Sequence, residues 1–177
     1  MTRFASIMGV AAVATLVLLS GCETPMKTDY AKQLQGNWAA TIEDRQFQNP
    51  QDPTMMVPGT SAVMAAVTRT DTNKGTVALT IADTIAGSTM PFSSIKVEGS
   101  FEVTADEIKA TDLKVDPPAA LAQLPAGVAA GLTAGLTLTY ELSDDGSELT
   151  VEEATLFGAL LGPANTKITL DKMASGS

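Results

Sequence analysis

The chain has 177 residues, no histidine and one cysteine, with 11 basic against 20 acidic side chains and a formal net charge of −9. Lack of histidine removes the commonest general base and the commonest metal ligand. An acidic chain with no basic patch is a poor match for nucleic acid, and a single cysteine leaves no intrachain disulfide, so the fold must stand on its core alone.

The first 21 residues read as a targeting segment, with Arg3 as the positive n-region and a nearly all-apolar run from Ala5 to Leu19. That run is about 15 residues, short of the roughly 20 that span a hydrocarbon core. Leu19, Ser20, Gly21 and Cys22 then follow in order. This L-S-G-C resembles the lipobox of bacterial lipoproteins, which implies that Cys22 is acylated and becomes the first mature residue. Acylation consumes the thiol and anchors without spanning, each buried methylene contributing about 0.8 kcal/mol. The resemblance makes the membrane a partner through the lipid and places the protein in the bacterial envelope. Glu23 after the cysteine leans toward the outer membrane, facing the periplasm. Removing Arg3 with the leader leaves ten basic against twenty acidic side chains, a net charge of −10. The expected organisation is a signal peptide over 1–21, a lipidated tether over 22–36 and one domain over 37–177.

Beyond the tether, period-two alternation recurs and long helical patterns do not, which points to an antiparallel β protein. Strand A, Asn37–Asp44, places Trp38, Ala40 and Ile42 on one face; strand B, Ser61–Thr70, carries Val63, Ala65 and Val67. Strand C, Thr76–Asp83, carries Val77, Leu79 and Ile81. Strand D is the clearest: Ile95, Val97, Gly99, Phe101 and Val103 alternate with Lys96, Glu98, Ser100 and Glu102. Strand E, Glu107–Asp116, shifts phase between Ala110 and Leu113, the signature of a bulge. Strand F, Leu136–Ser143, alternates through Leu138, Tyr140 and Leu142, and strands G (Glu148–Glu152) and H (Thr166–Lys172) follow.

The connections "DTNKG", "TAD" and "DDGS" are short and rich in turn formers, whereas 45–60, 84–90, 117–135 and 153–165 are longer. In an up-and-down meander this parity puts the tight turns at one end and the long connections at the other. The expected fold is all-β, an eight-stranded antiparallel barrel with a long apolar E–F connection that is partly helical. An eight-stranded barrel is either filled by side chains or holds one small ligand.

"LQGNW" brings Leu34, Gly36 and Trp38 to the start of strand A. With the long A–B connection and the meander, this G-x-W resembles the lipocalins and the lipocalin-like domains of small bacterial lipoproteins. The resemblance implies that Trp38 seals the closed end and that the four long connections frame a ligand mouth. The family's late arginine over that tryptophan has no counterpart, since no arginine follows Arg69.

Chemistry is sparse. There is no nucleophile elbow and no glycine-rich phosphate loop, and the acidic run around Asp144–Glu153 reads as solvated charge. The expectation is a non-enzymatic protein without cofactor or metal. Two functions follow. One is binding of a small apolar or lipid-like ligand inside the barrel, lined by Trp38, Val67, Leu79, Val97, Phe101 and Tyr140. The other is a solid barrel whose apolar loop end docks an envelope protein or the membrane, through Leu124, Val128, Leu132, Leu156 and Phe157. The motive for the second is "PPAALAQLPAGVAAGLTAG" over 117–135 and "ATLFGALLGP" over 154–163, which carry no charge. Gly127, Gly131 and Gly135 in the first recur every four residues, a spacing that lets a second backbone approach closely. The bland alternative is that both segments pack on each other and plug the barrel.

Overall fold

The computed structural model describes residues 28–49, 51–122, 124–161 and 165–174, so the leader, the lipobox and Cys22 lie outside the described residues. Eight strands pair in sequence order into a closed barrel, all neighbours antiparallel. They are β1 (Gly36–Asn49), β2 (Asp52–Asp71), β3 (Lys74–Ile85), β4 (Ser93–Val103), β5 (Glu107–Asp116), β6 (Leu136–Leu142), β7 (Glu148–Glu152) and β8 (Lys167–Lys172). Four short helices accompany them: α1 (Tyr30–Leu34), α2 (Pro118–Leu121), α3 (Ala126–Ala134) and α4 (Ala154–Leu161).

The alternation read from the sequence is the alternation that closes the barrel. Inward positions such as Val63, Val97, Phe101, Val151 and Ile168 are buried, while Lys96, Glu98, Glu102, Glu148 and Lys167 on the same strands face out. Apolar inside and polar outside is the reverse of a bilayer-spanning barrel. The phase shift in β5 is a bulge: Glu98 pairs with Lys114 but Ser100 with Thr111, and Asp112 takes φ 55° between them. Gly75 is required opposite Phe101, because a Cβ there would lie 2.6 Å from the Phe101 ring and 2.3 Å from the Thr68 carbonyl.

The barrel is lopsided. β1 to β5 form long ladders, whereas β6, β7 and β8 are short, and closure between β8 and β1 rests on the pairs Trp38↔Lys172 and Ala39↔Asp171. At the mouth α3 packs against β5, and α4 against α3 and β8.

Two expectations need correction. The A–B connection is no long loop: β1 and β2 run on through it, with Phe47 paired to Val57 and Asn49 to Asp52 across a tight turn. Pro53 and Pro58 argue against a strand there, but the bulge between Ile42 and Arg45 bends the hairpin, and Phe47 gains cover from Phe92, whose ring centroid is 5.2 Å away. The described end of the expected tether is also folded, since α1 buries Ala31 and Leu34 against the barrel floor. Asp29 caps α1 by accepting from the Lys32 amide (3.0 Å), and Arg69 Nη2 pairs with Asp29 at 2.6 Å. The Tyr30 amide donates to Asn73 Oδ1 at 2.8 Å, so the inlet of the chain is tied to the β2–β3 turn.

Candidate functional site

The barrel axis holds a cavity of about 120 Å³ whose lining is entirely apolar. Leu34 from α1 forms its floor, and Val67, Leu79, Val97 and Phe101 stand in its wall. Leu132 from α3 and Leu156, Phe157 and Leu160 from α4 form its roof. No lining side chain offers a hydrogen-bond partner or a charge, so the cavity rewards only apolar contact and excludes ions by desolvation.

Four of the six side chains expected to line a ligand site do so: Val67, Leu79, Val97 and Phe101. Trp38 and Tyr140 do not. Both are buried near the tight-turn end, where each spends its polar atom on a backbone carbonyl. Trp38, 0% exposed, donates from Nε1 to the Leu34 carbonyl at 2.8 Å, and Lys172 Nζ stands 4.9 Å from its ring centroid. Tyr140 Oη donates to the Thr104 carbonyl at 2.7 Å, and burial pushes its phenol up to about 12. A polar tip needs a partner when buried, and the partner lies at the closed end, which draws both rings below the cavity.

The five side chains expected to dock a partner are placed differently. Val128, Leu132, Leu156 and Phe157 are buried and belong to the core, and Leu124 is half-buried. The two apolar segments therefore turn their side chains onto the barrel. A Cβ on Gly127 would meet nothing, so the four-residue glycine spacing brings no second backbone close there. Gly135 has a separate role: it ends α3 at φ 99°, where a side chain is strained and a Cβ would sit 2.9 Å from the Ala110 carbonyl.

Above the cavity lies a polar rung that the sequence pattern did not single out. Ser61 is 0% exposed and sits one inward step toward the mouth from Val63, paired with Asp83 across the sheet. Its hydroxyl donates to Asp83 Oδ1 at 2.6 Å and accepts from Arg45 Nε at 3.0 Å. Arg45 also donates from Nη2 to the Leu160 carbonyl at 3.0 Å and lies 5.1 Å from the Phe47 ring centroid. Partial burial pulls the guanidinium below its ordinary value while Asp83 opposes the shift, and it stays charged. A trace of it lay in strand B, where Ser61 stands as the polar first position of the inward row that continues through Val63, Ala65 and Val67. No group of His, Cys, Asp or Glu among the described residues is arranged to hold a metal ion.

These features define an eight-stranded up-and-down barrel with an apolar cavity beneath two helices. No family model, curated protein or solved structure matches the chain.

Proposed function

We propose that this protein is a lipid-anchored envelope protein that takes up a compact apolar ligand in its barrel, without catalysis. The observation that carries the reading is the cavity: about 120 Å³, set between Leu34 at the floor and α3 and α4 at the roof, and lined only by apolar side chains. Apolar cavities of about 150 Å³ stay dry and accept benzene or xenon. The ligand is thus the size of one ring or the end of an acyl chain, well below the roughly 300–1,000 Å³ that drug-sized ligands occupy. Burial of Val128, Leu132, Leu156 and Phe157 within the chain favours this reading over docking through those residues. Anchoring rests on the L-S-G-C sequence at Cys22.

Two measurements test the reading. Xenon or benzene binding to the purified full-length protein, followed by NMR shifts of the Val67, Leu79 and Val97 methyls, should saturate. Absence of any saturable shift refutes ligand uptake. Mass analysis of the natively expressed chain should place acyl chains on Cys22, and an unmodified Cys22 thiol would refute the anchor.

A further inference from the structure

The polar rung above the cavity has a use that packing alone does not need. α4 forms most of the cavity roof, through Leu156, Phe157 and Leu160. Its own flanks cap it: the Glu153 carboxylate accepts from the Leu156 amide, and Asn165 Nδ2 donates to the Leu161 carbonyl at 2.6 Å. Among the described residues, one hydrogen bond reaches α4 from a strand, and it is the bond from Arg45 Nη2 to the Leu160 carbonyl. Arg45 is held in turn by Ser61, and Ser61 by Asp83. A cation at the last turn of a helix meets the negative end of its dipole and an orphan carbonyl together.

Among the described residues, no side-chain hydrogen bond ties the rest of the roof to a strand. α3 passes into β6 at Gly135, and its side-chain hydrogen bond, Thr133 Oγ1 to the Ala129 carbonyl, stays within the helix. Non-directional contacts let a helix tilt with little cost until its buried face opens, whereas a charge-assisted bond breaks over a short displacement. Among the described residues, Arg45 is thus the side chain through which a strand holds the roof.

We infer that α4 is a hinged door over the cavity and that Arg45, braced by Ser61 and Asp83, is the latch that holds it shut through the Leu160 carbonyl. The inference rests on the ligand-uptake reading for its purpose, but the latch itself is a property of the fold. Arg45 is a positioning residue: it does not line the cavity, and it controls the rate of passage.

The test uses the full-length protein and fluorobenzene, a probe of benzene size. Fluorine exchange spectroscopy gives uptake and release rates separately. Arg45→Met keeps the length of the side chain and loses the donors. It should speed both uptake and release by about tenfold, equivalent to about 1.4 kcal/mol, while Kd moves less than threefold, because a door alters passage in both directions. Amide exchange of Phe157–Leu161 should accelerate by a similar factor with the β2–β3 ladder unchanged. Arg45→Lys, which restores a charged donor, should return both readouts partway. Unchanged rates and unchanged α4 exchange in Arg45→Met overturn the latch, as does a change in Kd with rates that do not move together. Should Arg45→Met fail to fold, Ser61→Ala loosens the same brace and is judged by the same two readouts. A wild-type protein that binds no fluorobenzene refutes ligand uptake, and the α4 exchange rates then decide the latch alone.

Discussion

Filling the cavity is the most direct perturbation of the site. Ala110 on β5 is buried, lines the cavity, and pairs with Phe101 on one side and Leu136 on the other. An unfilled volume of about 120 Å³ costs on the order of 2.9 kcal/mol, at roughly 24 cal/mol per Å³. Ala110→Val places two more methyl groups into that space, worth up to about 1.6 kcal/mol at about 0.8 each. Part of that is lost to imperfect fit, leaving a gain of about 1 kcal/mol, helped by the preference of β-branched residues for strands. Thermal unfolding followed by circular dichroism should show Tm raised by about 2–4 °C. The same variant should lose most of the stabilisation that benzene gives the wild type, about 1.4 kcal/mol at ten times Kd. A loss of stability greater than about 1 kcal/mol, the mark of overpacking, would refute the argument, since it would mean that the space at Ala110 is already taken.

Trp38→Phe should lower the stability by about 2–3 kcal/mol in urea unfolding, because it leaves the buried Leu34 carbonyl without its donor and removes packing volume; a loss under 1 kcal/mol would show the floor to be held elsewhere. The Asp145 carboxyl is lowered to about 2 by hydrogen bonds from Ser147 and Ser143. Its folded value lies below the unfolded one, so its contribution is present above about pH 4 and fades as pH falls toward 2; NMR titration should find that midpoint, and Ser147→Ala should raise it. Tyr140 behaves in the opposite sense. Burial raises its phenol to about 12, so its contribution is full below about pH 10 and is lost as pH climbs from there to 12; ultraviolet titration of tyrosinate should show this late phase, and Tyr140→Phe should abolish it.

The barrel was legible because its walls obey period two. Glu107–Asp116 and Glu148–Glu152 fall where the alternation puts them, and even the β5 bulge shows as a phase shift between Ala110 and Leu113. Legibility fails where a residue's local preference opposes its tertiary setting. Pro53 and Pro58 read as loop, yet both lie inside β2, whose neighbour β1 continues past them. "ETPMKTDYAKQ" has no helical period, yet Asp29 and the buried faces of Ala31 and Leu34 make a helical turn of Tyr30–Leu34 once the barrel floor is there to cover it. Within the site, the apolar wall could be read from Val67, Leu79, Val97 and Phe101. The depth of Trp38 and Tyr140 could not, since it depends on which carbonyl each polar tip reaches. The latch was illegible for the same reason: Arg45 and Leu160 are 115 residues apart, and only closure of the barrel brings them together.

The two ends of the barrel differ in how they are held, and that difference assigns their roles. At the floor, Asp29 with Arg69, Tyr30 with Asn73, Trp38 with Leu34 and Tyr140 with Thr104 are all fixed by directional bonds. At the mouth, among the described residues, the roof helices rest on apolar contact and one strand bond, from Arg45. Local opening follows the end with fewer directional ties, which is the end where the proposed latch sits. The covalent chain from Cys22 to Asp29 reaches at most about 25 Å, so the proposed lipid on Cys22 would hold Asp29 within about that distance of a bilayer. The proposed door at α4 lies at the opposite end of the barrel from α1, where the described chain begins. A cavity of about 120 Å³ limits the proposed ligand to a compact apolar group.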